Sequence, residues 1–196
     1  MAGKQSSVKI KLKFSKNVKV VFLVLAAVVL SIVLYKTFVP EPITSWNYYG
    51  QILNFRADLR AADKVPVYPN EDAIFLDLVH ALAKNVTIVY KYTNDSLAQA
   101  YYQVEAIQIV QNIIPAFEHI WKFRPNFDSM EVDSYENLPG KIQNPIIAIV
   151  PPPYSNETAI RNYGHVTLLK AKTYEDMDLV TTKLLMLALK IDLDEA

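Results

Sequence analysis

Three histidines are among the side chains of this chain best suited to proton transfer or metal binding. They are isolated from one another along the sequence, at His80, His119 and His165. His119 follows Glu118, but neither the H-E-x-x-H nor the H-x-x-E-H spacing, which places two zinc ligands on one helix face, is present. Isolated histidines of this kind are more typical of a protein surface than of a metal site.

A short acidic run, Glu175, Asp176 and Asp178, begins a predicted helix. Negative charge is favoured there by the helix dipole, so its position has a structural explanation. The sequence contains no G-x-S-x-G motif and no D-x-D-x-D-G loop, and its four glycines form neither a P-loop nor a G-x-G-x-x-G motif. It also lacks cysteine, which excludes disulfides, thiolate metal sites and thiol redox chemistry. The sequence therefore predicts no catalytic, cofactor-binding or metal-binding residue and no cofactor.

An apolar run at residues 18–39, VKVVFLVLAAVVLSIVLYKTFV, has the length and composition of a membrane span. About 20 apolar residues in a helix cross a bilayer core of roughly 30 Å. A cleaved signal peptide is disfavoured because no A-x-A-like site follows the run. The run therefore predicts an uncleaved signal anchor of a single-pass protein in the cell membrane or an endomembrane.

The residues before the apolar run are basic and include no Asp or Glu. By the positive-inside rule, the N-terminus is expected in the cytoplasm and the C-terminal part outside. The lysines expected to contact anionic lipid head groups are Lys9, Lys11, Lys13, Lys16 and Lys19.

The chain is predicted to have four parts: a basic cytoplasmic tail (1–17), the anchor (18–39), a linker with an irregular lead-in (40–69) and an extracytoplasmic α/β domain (70–196). The residues after the anchor include 13 Lys or Arg and 20 Asp or Glu, a net charge of −7. Because phosphate binding needs clustered basic residues, a nucleic acid partner is not expected.

Three N-x-S/T sequons fall in the predicted external part, at Asn85, Asn94 and Asn156. They are candidate N-glycosylation acceptors in a eukaryotic lumen or on an archaeal surface. Unused sequons remain the alternative.

Two further stretches are candidate interaction surfaces. Trp46, Tyr48 and Tyr49 can form an interfacial aromatic belt above the bilayer or begin the core of the domain. The run Pro151, Pro152, Pro153 and Tyr154 can present an extended polyproline segment or form a rigid turn after a central strand.

Hydrophobic periodicity and cap residues predict the elements of the external part. In chain order they are a helix over 70–83, a strand over 85–92, a long helix from Ser96 that kinks or restarts at Pro115, a short strand over 130–133, a buried strand over 146–150, a hairpin turning at 162–164 and a last helix from the Thr173/Asp176 capping box. The apolar stripe of the long helix runs from Ala98 to Ile120.

The element order from the strand at Asn85 onwards resembles that of thioredoxin-like folds. In that family a proline with a cis peptide bond precedes the central strand, and here Pro145 precedes IIAIV. Gly164 stands where the family often has glycine in its hairpin. The C-x-x-C motif is replaced by YTNDSLAQ, so the redox activity of the family is not implied. The resemblance implies a small mixed β-sheet with helices on both faces, and another α/β sandwich is the alternative.

Together these features predict a non-catalytic, membrane-anchored extracytoplasmic interaction or scaffold domain. Its expected partners are the bilayer, through residues 18–39, and a protein in or near the membrane, as for an accessory subunit of a membrane or cell-surface assembly. A pilin-like filament subunit is one alternative, although the processing site and the early glutamate of pilins are missing. A hydrolase or other enzyme of unrecognised type is the second alternative.

Overall fold

The computed structural model describes residues 43–75, 78 and 85–193. The predicted anchor at 18–39, the lysines Lys9, Lys11, Lys13, Lys16 and Lys19, and His80 lie outside the described residues. The chain divides into two compact units, and the second, Pro42–Ala196, contains every described residue. Within the described residues, no helix combines the length and apolarity that crossing a membrane requires.

The described part begins with a β-hairpin. Strands β1 (Thr44–Tyr48) and β2 (Gln51–Phe55) pair antiparallel through a two-residue turn, Tyr49–Gly50, whose φ angles are 50° and 90°. Positive φ at both positions gives the turn twist that two-residue hairpins prefer. A short helix, α1 (Leu59–Asp63), follows, with the Asp58 carboxylate as its N-cap. The lead-in within 40–69 was expected to be irregular from Asn54 onwards, but it contains this helix, because the Asp58 cap and the buried Leu59 and Ala62 favour a helical turn.

The main sheet of the described part has six strands in the order β3-β7-β8-β6-β4-β5. They are β3 (Val67–Tyr68), β4 (Asn85–Lys91), β5 (Asn126–Val132), β6 (Ile146–Val150), β7 (Ala159–Asn162) and β8 (Val166–Lys170). β7 and β8 form the predicted antiparallel hairpin, and every other neighbouring pair is parallel. The mixed α/β class is thus confirmed.

Three further helices complete the described part: α2 (Asp72–Phe75), α3 (Ser96–Trp121) and α4 (Glu175–Leu189). α3 begins at the Asp95 cap and runs through Pro115, so of the two predicted alternatives, a kink or a restart, the restart is excluded. The residues around Pro115 stay helical because Ile113, Ala116 and Phe117 are buried in the core.

The predicted capping box of α4 is present. The Asp176 N–H donates to Thr173 Oγ1 at 3.3 Å, and the Thr173 N–H donates to Asp176 Oδ2 at 3.2 Å. The two side chains thereby satisfy two backbone donors at the start of the helix.

The described helices all contribute to one large apolar core on a single face of the sheet. The opposite face has a small cluster of Val89, Ile146 and Ala148, against which Tyr135 and Leu138 pack. The prediction of helices on both faces is therefore corrected for the described residues. The reason is that the connection from β5 to β6 is a loop, so the second face is covered by loop side chains.

The predicted cis bond at Pro145 is also corrected. The cis X-Pro bonds of the described residues are Tyr68–Pro69 and Pro152–Pro153. Pro145 directly precedes β6 and already takes part in its pairing with β4, because the Pro145 carbonyl accepts the Thr87 N–H at 3.0 Å.

The triple proline ends β6 in a turn. The Pro151 carbonyl accepts the Tyr154 N–H at 2.8 Å, which closes the chain over four residues. Of the two alternatives for this run, the structure therefore has the rigid turn.

Candidate functional site

A groove lies between α3 and the outer strands of the sheet, β4 and β5. It contains a hollow of about 540 Å³ toward the carboxyl ends of the strands and a second hollow of about 360 Å³ beside it. Ile88, Ala106, Ile107 and Ser129 line both hollows. We call the two hollows together the edge groove; its other residues include Tyr90, Tyr102, Gln103, Val110, Phe127 and Glu131.

The groove exists because α3 covers β4 but leaves β5 largely uncovered. Phe127, Ser129 and Glu131 alternate along β5 and line the groove, whereas Met130 and Val132 pack against the cluster on the opposite face. Ser129 is too small to fill the space between the strand and the helix. The side chain across the groove, Ile107 on α3, is 52% exposed.

The outer edge of β5 has no strand partner among the described residues. All seven residues of β5 pair with β4, from Asn85↔Asn126 to Lys91↔Val132. An edge strand keeps outward backbone N–H and C=O groups available for another strand. The edge groove thus combines an apolar hollow with backbone hydrogen-bonding capacity.

Tyr90 and Tyr102 line one end of the groove, and Tyr102 is hydrogen-bonded to a third tyrosine, Tyr135. The Tyr90 and Tyr102 rings lie 5.6 Å apart, and the Tyr102 and Tyr135 hydroxyls are 3.0 Å apart. The Tyr135 hydroxyl donates to the Ile149 carbonyl at 2.6 Å and accepts the Lys91 N–H at 3.2 Å. Burial raises the pKa of Tyr135 far above its usual range, so this phenol stays protonated and has a structural role.

The predicted surface at the triple proline reaches this end of the groove. The Tyr154 ring lies 6.4 Å from the Tyr135 ring, and Lys91 Nζ lies 4.7 Å from the Tyr154 ring centroid. Pro151 is buried, while Pro153 is exposed. The turn therefore supports the rim of the groove through Tyr154 and Lys91.

The predicted aromatic surface at the hairpin belongs mainly to the core. Tyr48 is buried and its hydroxyl donates to the Leu189 carbonyl at 2.6 Å, while Trp46 is half-buried against the same core. Tyr49 is 76% exposed, with its carbonyl 2.9 Å from His119 Nε2. Of the three aromatic residues, Tyr49 alone has a largely exposed side chain.

The three candidate glycosylation residues are exposed. Asn85 begins β4 and accepts a hydrogen bond from Asn126 Nδ2 at 3.3 Å. Asn94 precedes α3 and accepts from the Tyr92 hydroxyl at 2.9 Å, and Asn156 lies in the loop after β6. Asn94 is the one nearest the edge groove in sequence, since Tyr92 and Thr93 line it.

A buried polar layer lies between α3 and α4. Glu105 is fully buried, and neither of its carboxyl oxygens makes a hydrogen bond of ordinary geometry within the described residues. Desolvation, with a smaller contribution from the charge of Asp178, raises the pKa of Glu105 to about 8. Asp178 itself accepts from Arg56 Nε at 2.5 Å. Glu105 does not line the edge groove, so this layer is a feature of helix packing.

Histidines and carboxylates do not form a metal site in the part of the chain that the structure describes, where no group of three such residues is close enough to hold an ion. His119 lies at the end of α3, and His165 lies in the turn between β7 and β8. The acidic residues of α4 lie on a different element, where Asp176 caps the helix and Asp178 pairs with Arg56.

No model of a known protein family matches the chain, and no curated protein or solved structure compared with it is similar to it. The thioredoxin-like order stays a prediction. The residues of the edge groove were not predicted as a site. Their signals in the sequence are an isoleucine, Ile107, beside the apolar stripe of α3, and a serine, Ser129, beside the predicted strand at 130–133.

Proposed function

We propose that this protein is a non-catalytic interaction domain that binds a segment of a protein partner in the edge groove. The observation behind the proposal is the apolar hollow open beside a seven-residue strand whose outer edge is unpaired in the described part. Grooves of this kind accept peptides because backbone pairing provides affinity and side-chain pockets provide specificity.

The lining of the groove supports recognition of a peptide. Apolar contact comes from Ile107 and Val110, and amide and hydroxyl groups come from Gln103 and Ser129. Apolar surface with a few polar groups is typical of binding sites.

The membrane part of the proposal is supported by the sequence of residues 1–39. The domain is anchored by the apolar run at 18–39, with the N-terminus in the cytoplasm, and acts outside as an accessory subunit of a membrane or cell-surface assembly. Protease added to intact cells should therefore digest the C-terminal domain, whereas inside-out vesicles should protect it. The reverse pattern would contradict this topology.

The groove is tested with a partner identified in intact membranes. A photo-activated cross-linker at position 103 captures the partner, which is then purified and titrated against the full chain in lipid nanodiscs. Ile107→Asp is expected to weaken binding at least about tenfold, because it places a charge in the apolar part of the groove.

The matched control is Ile142→Asp. Ile142 is 56% exposed, close to the value for Ile107, but lies in the loop before β6 and does not line the groove. Equal dissociation constants for the wild-type chain and Ile107→Asp, or equal weakening by both substitutions, would rule out the edge groove as the binding surface.

A further inference from the structure

We propose that the partner segment binds as an extended strand paired with the outer edge of β5, and that it presents basic side chains to that edge. This inference rests on the proposed function and adds the conformation and charge of the bound segment.

The conformation follows from the register of β5. The strand pairs with β4 over its full length, so its backbone stays extended from Asn126 to Val132. Backbone groups of a strand alternate between its two sides, so about half of those in β5 point away from β4. A second extended chain satisfies these groups with the geometry of the existing sheet.

The charge follows from the acidic residues of this edge. Asp128, Glu131 and Asp133 are exposed, and none forms an ion pair among the described residues. The nearby cation, Lys91, has its ammonium group over the Tyr154 ring. Asp128 and Glu131 project to opposite faces of the strand, so a basic side chain on either face of the bound segment meets a carboxylate.

A second copy of this chain is a poor occupant by the same reasoning. Pairing β5 with β5 would place the carboxylates of two copies along one seam, Asp128 on one face and Glu131 on the other, and like charges close together destabilise a strand pair. The acidic edge therefore disfavours self-association and favours a cationic strand.

Along the groove, the lining changes from apolar to acidic. Phe127 and Val110 line one end, whereas Glu131 lines the other near Lys91. A bound segment accordingly places apolar side chains near Phe127 and a lysine or arginine near Glu131.

The test uses synthetic peptides, so the fold of the protein is not altered. Fluorescence anisotropy measures binding of the full chain, in nanodiscs of zwitterionic lipid, to an octapeptide of four valines followed by four lysines, which matches the apolar and acidic ends of the groove. The references are the corresponding valine–glutamate peptide, a valine–lysine peptide with N-methylated backbone amides, and nanodiscs without protein. The lysine peptide is expected to bind at least about tenfold more tightly than either other peptide.

A charge reversal in the protein completes the test. Glu131→Lys is expected to reduce the preference for the lysine peptide at least about fivefold, and Ile142→Asp to leave it unchanged. Equal binding of the lysine and glutamate peptides, or of the methylated and unmethylated peptides, would overturn the inference.

These outcomes are separate from failure of the proposed function. One outcome is that the lysine and glutamate peptides bind equally while Ile107→Asp still weakens binding of the purified partner. In that case the groove remains the binding surface, and the inference of a cationic strand is wrong. If Ile107→Asp has no effect on the partner, the proposed function fails whatever the peptides show.

Discussion

Glu105 is the residue whose environment departs most from what its position in the sequence indicates. It lies on α3 between Tyr102 and Gln108, all three of which are buried against the core or against α4. Local periodicity predicts the apolar stripe from Ala98 to Ile120, and Ile109 and Ile113 confirm its centre. The stripe does not reveal that polar side chains are also buried, because that depends on where α4 packs.

Glu105 gives the fold a pH dependence of defined sign. Its folded-state pKa, about 8, exceeds the ordinary value of 4.5, so the folded protein binds more protons than the unfolded chain between these values. Stability is therefore lost as the pH rises from about 4.5 towards 8. Glu105→Gln, which keeps the shape of the protonated carboxyl, should raise the free energy of unfolding at pH 9 by on the order of 3 kcal/mol and much less at pH 5.

The measurement is urea unfolding of the two chains at both pH values. Glu136→Gln is the control, because Glu136 is exposed in the loop after β5 and its neutralisation should change stability little at either pH. A stabilisation by Glu105→Gln that is equal at pH 5 and pH 9 would contradict the raised pKa.

At the scale of elements, the loop between β5 and β6 covers the sheet face that has no described helix. Gly140 in this loop passes against the turn before β8, so a Cβ there would overlap the His165 carbonyl oxygen and lie 2.7 Å from Val166 Cγ2. Because the backbone atoms cannot move aside, Gly140→Ala should lower the free energy of unfolding by about 3 kcal/mol.

The matched control is Gly164→Ala in the neighbouring hairpin turn. Gly164 has a φ of 64° and open space around it. An added methyl group therefore meets no neighbour, and the substitution should lower the free energy of unfolding only by the strain of alanine in the left-handed conformation, about 1 kcal/mol. Urea unfolding of both variants gives the comparison. If Gly140→Ala lowers the free energy of unfolding no more than Gly164→Ala does, the loop between β5 and β6 moves aside easily and is not held firmly against the second face of the sheet.

The elements that the sequence predicted well are those defined by local signals. The strand at Asn85, the start of α3, the buried strand β6, the hairpin β7–β8 and the capping box of α4 are all present. The β1–β2 hairpin was missed because its turn, Tyr49–Gly50, lacks the Asn-Gly or Asp-Gly pair that marks such turns. Strand β3 was missed because two residues pair with β7, far along the chain, and give no local pattern.

At the scale of the whole molecule, the N-terminal hairpin is part of the same compact unit as the sheet. Asn112 on α3 holds β2 through two hydrogen bonds to Asn54, each 3.0 Å long, and Leu53 and Phe55 are buried. The edge groove likewise depends on how elements meet, since Ile107 and Ser129 are brought together only by the packing of α3 beside β5. Neither arrangement follows from the sequence of one segment, so the groove could not be predicted.

The extent of this unit is tested by two truncated chains. A chain beginning at Pro42 should unfold cooperatively, whereas one beginning at Ala57 should lose roughly 5 kcal/mol, because it no longer buries Leu53, Phe55 and Tyr48. Urea unfolding followed by circular dichroism measures both. Equal unfolding midpoints would show that the hairpin is an appendage of the unit.

The position of the hairpin also determines how the domain responds to mechanical load. A force applied to the chain at residue 42 acts first on the open end of the hairpin, where the Ile43 N–H donates a hydrogen bond to the Phe55 carbonyl. From there the β1–β2 pairs are loaded one after another, until the pull reaches Tyr48 and its bond to the Leu189 carbonyl. The hairpin would therefore open pair by pair before the load reaches the sheet and the edge groove.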